Sequence, residues 1–135
     1  MARLGRSLVS VSVANGVRAP VVLVIEDEFL VRCDVADCLR NAGYAVLETA
    51  SGEETIALCR SNMSIDIVFT DINLVGPASG WDVAECFRIQ RPNVSVLYTS
   101  GKSVDARHCV PRSEFFAKPY NSADILKACQ RLHTA

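Results

Sequence analysis

Two hydrophobic patterns alternate along the chain from Pro20 onward. Short, mainly apolar runs, Val21-Val22-Leu23-Val24-Ile25 and Ile65-Asp66-Ile67-Val68-Phe69-Thr70, are rich in β-branched residues and too short for helices. They read as strands buried on both faces. Between them the apolar residues fall at helical spacing. Phe29-Leu30-Val31, Val35, Cys38-Leu39 and Ala42 form one such stripe, closed by Gly43 as a C-cap. Tyr44 to Leu47 predicts a short second strand, and Ser51 with Glu54 three residues on predicts a capping box for a helix through Thr55 to Cys59. A third strand ends at Asp71. Ser79-Gly80 opens a helix carrying Trp81, Val83-Ala84, Phe87 and Ile89, which Pro92 ends. Val94 to Tyr98 and Phe115 to Ala117 predict strands four and five, and Asn121-Ser122 caps a last helix with Ile125-Leu126, Cys129 and Leu132 on one face. Repeated β-α units of this size require a parallel sheet with helices on both faces, because crossovers are right-handed.

The chemistry gathers where these strands stop. Asp71 closes one apolar run and opens the Gly/Pro-containing stretch Asn73-Leu74-Val75-Gly76-Pro77, so its carboxylate belongs at the carboxyl end of a buried strand. Ligands of open α/β sheets collect there. The first strand runs straight into Glu26-Asp27-Glu28, adding acids to the same rim, and acids so crowded repel one another unless a cation joins them. Lys118-Pro119 follows the short run Phe115-Phe116-Ala117 and brings a positive charge to that edge. Acidic cluster, strand-end Asp and strand-end Lys together describe a phosphoryl-accepting site.

Composition narrows the classes. A length of 135 residues suits one domain and leaves no room for a second. Lys+Arg 14 against Asp+Glu 15 gives a net charge of −1, which argues against direct binding to nucleic acid or to an anionic membrane surface. The six cysteines lack C-x-x-C spacing and read as reduced thiols of a cytoplasmic protein rather than as a zinc or disulfide framework. Residues 1–19 carry Arg3 and Arg6 before a serine-interrupted apolar stretch too short for an export signal, and read as a flexible or loosely docked extension preceding a domain over 20–135.

Five separated elements, Glu26-Asp27, Asp71, the loop glycine of Ser79-Gly80, the hydroxyls of Thr99-Ser100-Gly101, and Lys118-Pro119, make the chain resemble the receiver domain of two-component response regulators. The resemblance spans Val21 to Leu132. It implies an α/β, flavodoxin-like, doubly wound (βα)5 sandwich with parallel strand order 2-1-3-4-5. It implies that Asp71 accepts a phosphoryl group and that Glu26, Asp27, Asp71 and the backbone carbonyl of Asn73 hold Mg²⁺. Lys118 then pairs with the acyl phosphate, Ser100 donates its hydroxyl, and Phe115 fills the space Ser100 vacates. The implied donor is a sensor histidine kinase or a phosphotransfer protein, and the implied output is contact with a downstream protein target, with a homodimer left open. Such a domain is a stoichiometric acceptor rather than a turnover enzyme.

Plainer readings stand beside these. Asp71 also fits a strand stop, Glu28 a solvated first-turn acid, Trp81 helix packing, and His108 and His133 surface positions. Thr99 competes with Ser100, though strand alternation favours Ser100. A receiver-like adaptor without phosphorylation is one alternative, and the Glu at position 26, where the family usually has Asp, keeps it in view. A small aspartyl-phosphate phosphatase is another, disfavoured by Asn73 where a second Asp is expected. The family's proline four residues past the acceptor is Val75 here. Only eighteen positions separate Ser100 from Lys118, so a short or irregular fourth helix is expected over 102–111. The length points to a stand-alone receiver acting by protein contact or to a fragment of a longer regulator.

Overall fold

The computed structural model describes residues 13–14, 17–102 and 108–132. Its elements are β1 (Val13–Ala14), β2 (Val17–Arg18), β3 (Val21–Ile25), α1 (Phe29–Asn41), β4 (Ala45–Thr49), α2 (Gly52–Cys59), β5 (Ile67–Asp71), α3 (Gly80–Gln90), β6 (Ser95–Ser100), β7 (Ser113–Ala117) and α4 (Ser122–Leu132). Strands β3 to β7 form one parallel sheet in the order β4-β3-β5-β6-β7. Counting its own strands along the chain, that order is 2-1-3-4-5, the doubly wound flavodoxin-like arrangement.

Strand alternation divides the core between the two faces of this sheet. Val21, Leu23 and Ile25 of β3 join Val68, Val96 and Tyr98 under Cys59 of α2 and Val83, Ala84 and Phe87 of α3. Val22 and Val24 face the other way, with Ile67, Phe69 and Leu97, under Val35, Ala36 and Leu39 of α1 and Ile125, Ala128 and Cys129 of α4. Every residue of β3 and β5 is buried, as expected of central parallel strands covered on both faces.

Local signals act as expected at several ends. Gly43 follows α1 with φ +99°, a conformation costly for any residue with a Cβ. Ser51 Oγ accepts from the Glu54 N–H, but the Glu54 carboxylate reaches Ala50 N at 3.2 Å instead of closing the box on Ser51. The reciprocal box forms at α3, between Ser79 and Asp82. Asn121 Oδ1 accepts from Ala123 N at the start of α4.

Three residues expected on apolar stripes point outward: Phe29, Leu30 and Ile89 are exposed by 64%, 78% and 76%. Strand four runs over Ser95–Ser100 rather than Val94 to Tyr98, because Thr99 and Ser100 continue the ladder between Asp71 and Ala117. Strand five begins two residues early, at Ser113. Of the segment expected to hold an irregular fourth helix, residues 103–107 lie outside the described residues, and the described flanks hold no α-helix. Tyr98, fully buried, accepts the Val110 N–H on its hydroxyl at 3.1 Å and so ties this connection to the sheet.

Most of the expected N-terminal extension also lies outside the described residues. Its final part forms an antiparallel β1–β2 ladder, and Arg18 pairs with Asp66 at 3.6 Å. No helix of the described residues is long and apolar enough to cross a membrane.

Candidate functional site

Strands β3 and β5 are neighbours in register, so their carboxyl ends deliver Glu26, Asp27 and Asp71 to one rim. One carboxylate oxygen from each lies within 4.8 Å of the others. Glu26 is fully buried, Asp71 is 5% exposed and Asp27 is exposed. Such a trio is electrostatically costly until a cation enters it.

Lys118, carried past the end of β7, supplies one. Its Nζ donates to Asp71 Oδ2 at 2.8 Å and stands 3.2 Å from Glu26 Oε1. The second approach has ion-pair distance without hydrogen-bond alignment, so Glu26 Oε1 has no hydrogen-bond partner. The other oxygen, Oε2, accepts from Glu28 N. Burial pushes the Glu26 carboxyl above its ordinary range, with Asp27 adding to the push, while the Glu28 N–H and Lys118 act against it. Burial alone would pull Lys118 down, but its hydrogen bond to Asp71 and the charges of Glu26 and Asp71 outweigh it and hold the ammonium above its usual range.

Asn73 ties the end of β5 to β6. Its backbone N–H donates to Asp71 Oδ1 at 3.1 Å and its side-chain amide donates to Ser100 Oγ at 3.2 Å. Ser100 Oγ also accepts from Lys102 N at 3.1 Å. The sequence offered Asn73 only as a backbone carbonyl. No one-dimensional signal reveals where a loop amide points. Ser100 and Thr99 part company by alternation: Ser100 shares the sheet face of Tyr98, while Thr99 Oγ1 is buried without a hydrogen-bond partner. Phe115, opposite Tyr98 in the ladder, is half-buried against the same core cluster as Tyr98.

Gly80 has a second role that the sequence did not disclose. A Cβ there would lie 2.3 Å from the Asp71 carbonyl oxygen and 2.7 Å from Ile72 Cα. The start of α3 therefore packs directly on the backbone that carries Asp71, a closeness open only to glycine. Trp81 packs on Tyr98, and exposed His108 meets the Trp81 ring edge-on at 5.4 Å between centroids.

Comparison with known proteins places this geometry. The response regulator receiver domain family model matches residues 22–130. The chain is 30% identical over 109 residues to a response regulator receiver protein of Anaeromyxobacter sp. (strain Fw109-5), covering 81% of this chain and 44% of that protein. It thus spans less than half of that relative's length. The crystal structure of a response regulator receiver protein from Sinorhizobium medicae WSM419 superimposes with a TM-score of 0.81 at 34% identity, covering 84% of this chain and 94% of that one. The chemotaxis response regulator CheY4 of Vibrio cholerae has the same fold, with a TM-score of 0.74 at 24% identity over 85% of this chain and 99% of that one. A doubly wound sheet with acids and a lysine at its carboxyl rim defines the class, a receiver-type α/β domain. The chain belongs to the response regulator receiver domain family of two-component systems.

Proposed function

We propose that this chain is a phosphorylation-driven signalling switch in which Asp71 accepts a phosphoryl group from a sensor histidine kinase or a phosphotransfer protein. The observation that carries the reading is the Lys118–Asp71 contact at 2.8 Å inside a rim holding two further carboxylates. A nucleophilic carboxylate and a point charge for phosphoryl oxygens are thereby adjacent.

The donor set fits Mg²⁺: it is all oxygen, and Glu26 Oε1 is buried without a hydrogen-bond partner. Glu26, Asp27 and Asp71, with the backbone carbonyl of Asn73, would hold the ion. Bound there, it would offset the repulsion between an anionic carboxylate and an anionic phosphoryl group and keep the two in line.

An Asp71 carboxylate oxygen attacks phosphorus, the bond from phosphorus to the donor's imidazole nitrogen breaks, and that nitrogen leaves with the donor. Lys118 turns its ammonium from the free carboxylate to the transferred oxygens. Ser100, whose Oγ accepts two hydrogen bonds before transfer, still has its own O–H to donate to a phosphoryl oxygen. The inward turn of Ser100 gives Phe115 room on the same sheet face, converting one added charge into a change of surface. A downstream protein reads that surface, in the cytoplasm.

The donor must reach the rim from outside. Exposed Phe29 and Leu30 stand at the head of α1, and a groove of about 540 Å³ beside them is lined by Glu28, Leu30, Val31, Asp34, Lys118, Pro119 and Tyr120. An apolar patch bordering Lys118 suits a docking helix of the donor.

Intact mass after incubation with acetyl phosphate and Mg²⁺ tests the reading. The wild type should gain one phosphoryl group and Asp71→Asn none; equal labelling of both would sink the acceptor assignment.

A further inference from the structure

Away from the rim, two thiols face each other between helices α2 and α3. Cys86 Sγ and Cys59 Sγ are 2.7 Å apart, closer than unbonded sulfurs in ordinary contact. Closing a disulfide, with its bond of about 2.05 Å, requires the sulfurs to approach by only about 0.7 Å more. Cys59 is the last residue of α2 and is fully buried; Cys86 lies within α3 and is partly exposed. Their relative placement is held from outside the pair. The Arg91 guanidinium donates to the carbonyls of Cys59 (2.9 Å), Ser61 (3.0 Å) and Met63 (2.8 Å), which fixes the end of α2 against the end of α3.

We propose that Cys59 and Cys86 form an oxidisable pair, with Cys86 as the thiol that meets the oxidant and Cys59 as the resolving thiol, and that their disulfide clamps α2 to α3. The roles follow from access. Partly exposed Cys86 can be reached by a small peroxide, whereas buried Cys59 cannot be reached first. Burial also pushes the Cys59 thiol up to about 12, keeping it protonated until an electrophilic sulfur lies beside it.

In the first step the Cys86 thiolate attacks one peroxide oxygen, the O–O bond breaks, and hydroxide leaves to be protonated to water. Cys86 is then a sulfenic acid. In the second step Cys59 sulfur attacks Cys86 sulfur, the S–O bond breaks, and the oxygen leaves as water with the Cys59 proton. Two thiols and one hydrogen peroxide give one disulfide and two waters, and a dithiol reductant reverses the bond.

The clamp has a definite reach. The 27-residue separation between the two cysteines encloses all of β5, Asp71 and the loop to α3. Oxidation therefore pins both ends of the segment that carries Asp71, although neither sulfur lies in the acidic site.

Native wild-type protein treated with hydrogen peroxide, then denatured and alkylated, should label four of its six cysteines. Trypsin should release residues 41–60 joined to 61–88, separable by dithiothreitol. Cys38→Ser should still lose two labels, and Cys86→Ser should lose none. By loop-closure entropy the oxidised wild type should melt roughly 10 °C above the reduced form. The proposal is overturned by six alkylated cysteines after peroxide, by linked peptides other than these two, by a sulfinic Cys86 beside a free Cys59, or by an unchanged or lower melting point. None of these readouts depends on phosphorylation, so their failure leaves the acceptor reading untouched.

Discussion

Lys118 Nζ meets Asp71 Oδ2 at 2.8 Å across 47 residues of sequence, because β6 alone separates their two strands. The ammonium serves as the resident cation of a rim with three acids. Lys118→Ala should therefore have two opposite effects. The metal-free protein should lose about 1–2 kcal/mol, a value discounted because the lysine side chain is 25% exposed. Mg²⁺ should bind several-fold tighter, since the competing positive charge is gone. Urea unfolding and calorimetric titration measure the two, and weaker Mg²⁺ binding would contradict the assignment of Lys118 as the competing cation.

Gly80→Ala tests how tightly α3 seats on the end of β5. The new Cβ would meet backbone atoms of Asp71 and Ile72, which cannot step aside as a flexible side chain would. A loss of about 1–3 kcal/mol is expected, together with slower uptake of phosphoryl groups from acetyl phosphate. A variant as stable and as readily labelled as wild type would show that this contact relaxes freely.

Lys102→Ala separates backbone from side chain beside Ser100. Ser100 Oγ is held by the Lys102 N–H, which the substitution retains, whereas the residue itself is exposed beside the rim. Loss of its charge should change the dephosphorylation rate by several-fold, about 1 kcal/mol of barrier, and leave Mg²⁺ affinity nearly unchanged. Identical decay curves would assign Lys102 to solvent alone.

Stability should fall steeply on the alkaline side. Burial pushes the thiols of Cys59 and Cys129 up to about 12, and burial raises Tyr98 as well. Groups with raised folded pKa values contribute stability that is fully present below their unfolded pKa, about 8.5 for a thiol, and is lost as pH rises through the folded value. The window for the thiols is thus about pH 9 to 12, with a limiting slope of about 1.4 kcal/mol per pH unit for each thiol. Cys129→Ala should flatten that slope in urea titrations across this range. An unaltered slope would mean that Cys129 ionises equally well folded and unfolded.

The strands and the acidic rim were legible in the chain because each is set by local chemistry. A short apolar run rich in β-branched residues and bounded by turn residues fits a strand buried on both faces, and a carboxylate that ends such a strand emerges at the sheet's edge. Asp71, Glu26-Asp27 and Lys118 could each be placed at such an edge from their own neighbours. Helical spacing was a weaker guide: Phe29, Leu30 and Ile89 fit their stripes yet face solvent, because the position of a residue on a helix does not say which arc the sheet covers. Polarity misled in β6, where Thr99 and Ser100 resemble loop residues but are buried by strands on either side. What the tertiary structure alone decided is direction across space. The turn of Asn73 onto Ser100, the seating of Gly80 on the Asp71 carbonyl and the meeting of Cys59 with Cys86 all join residues of different elements. Their geometry depends on how helices and strands pack together, and no local preference of the chain encodes it.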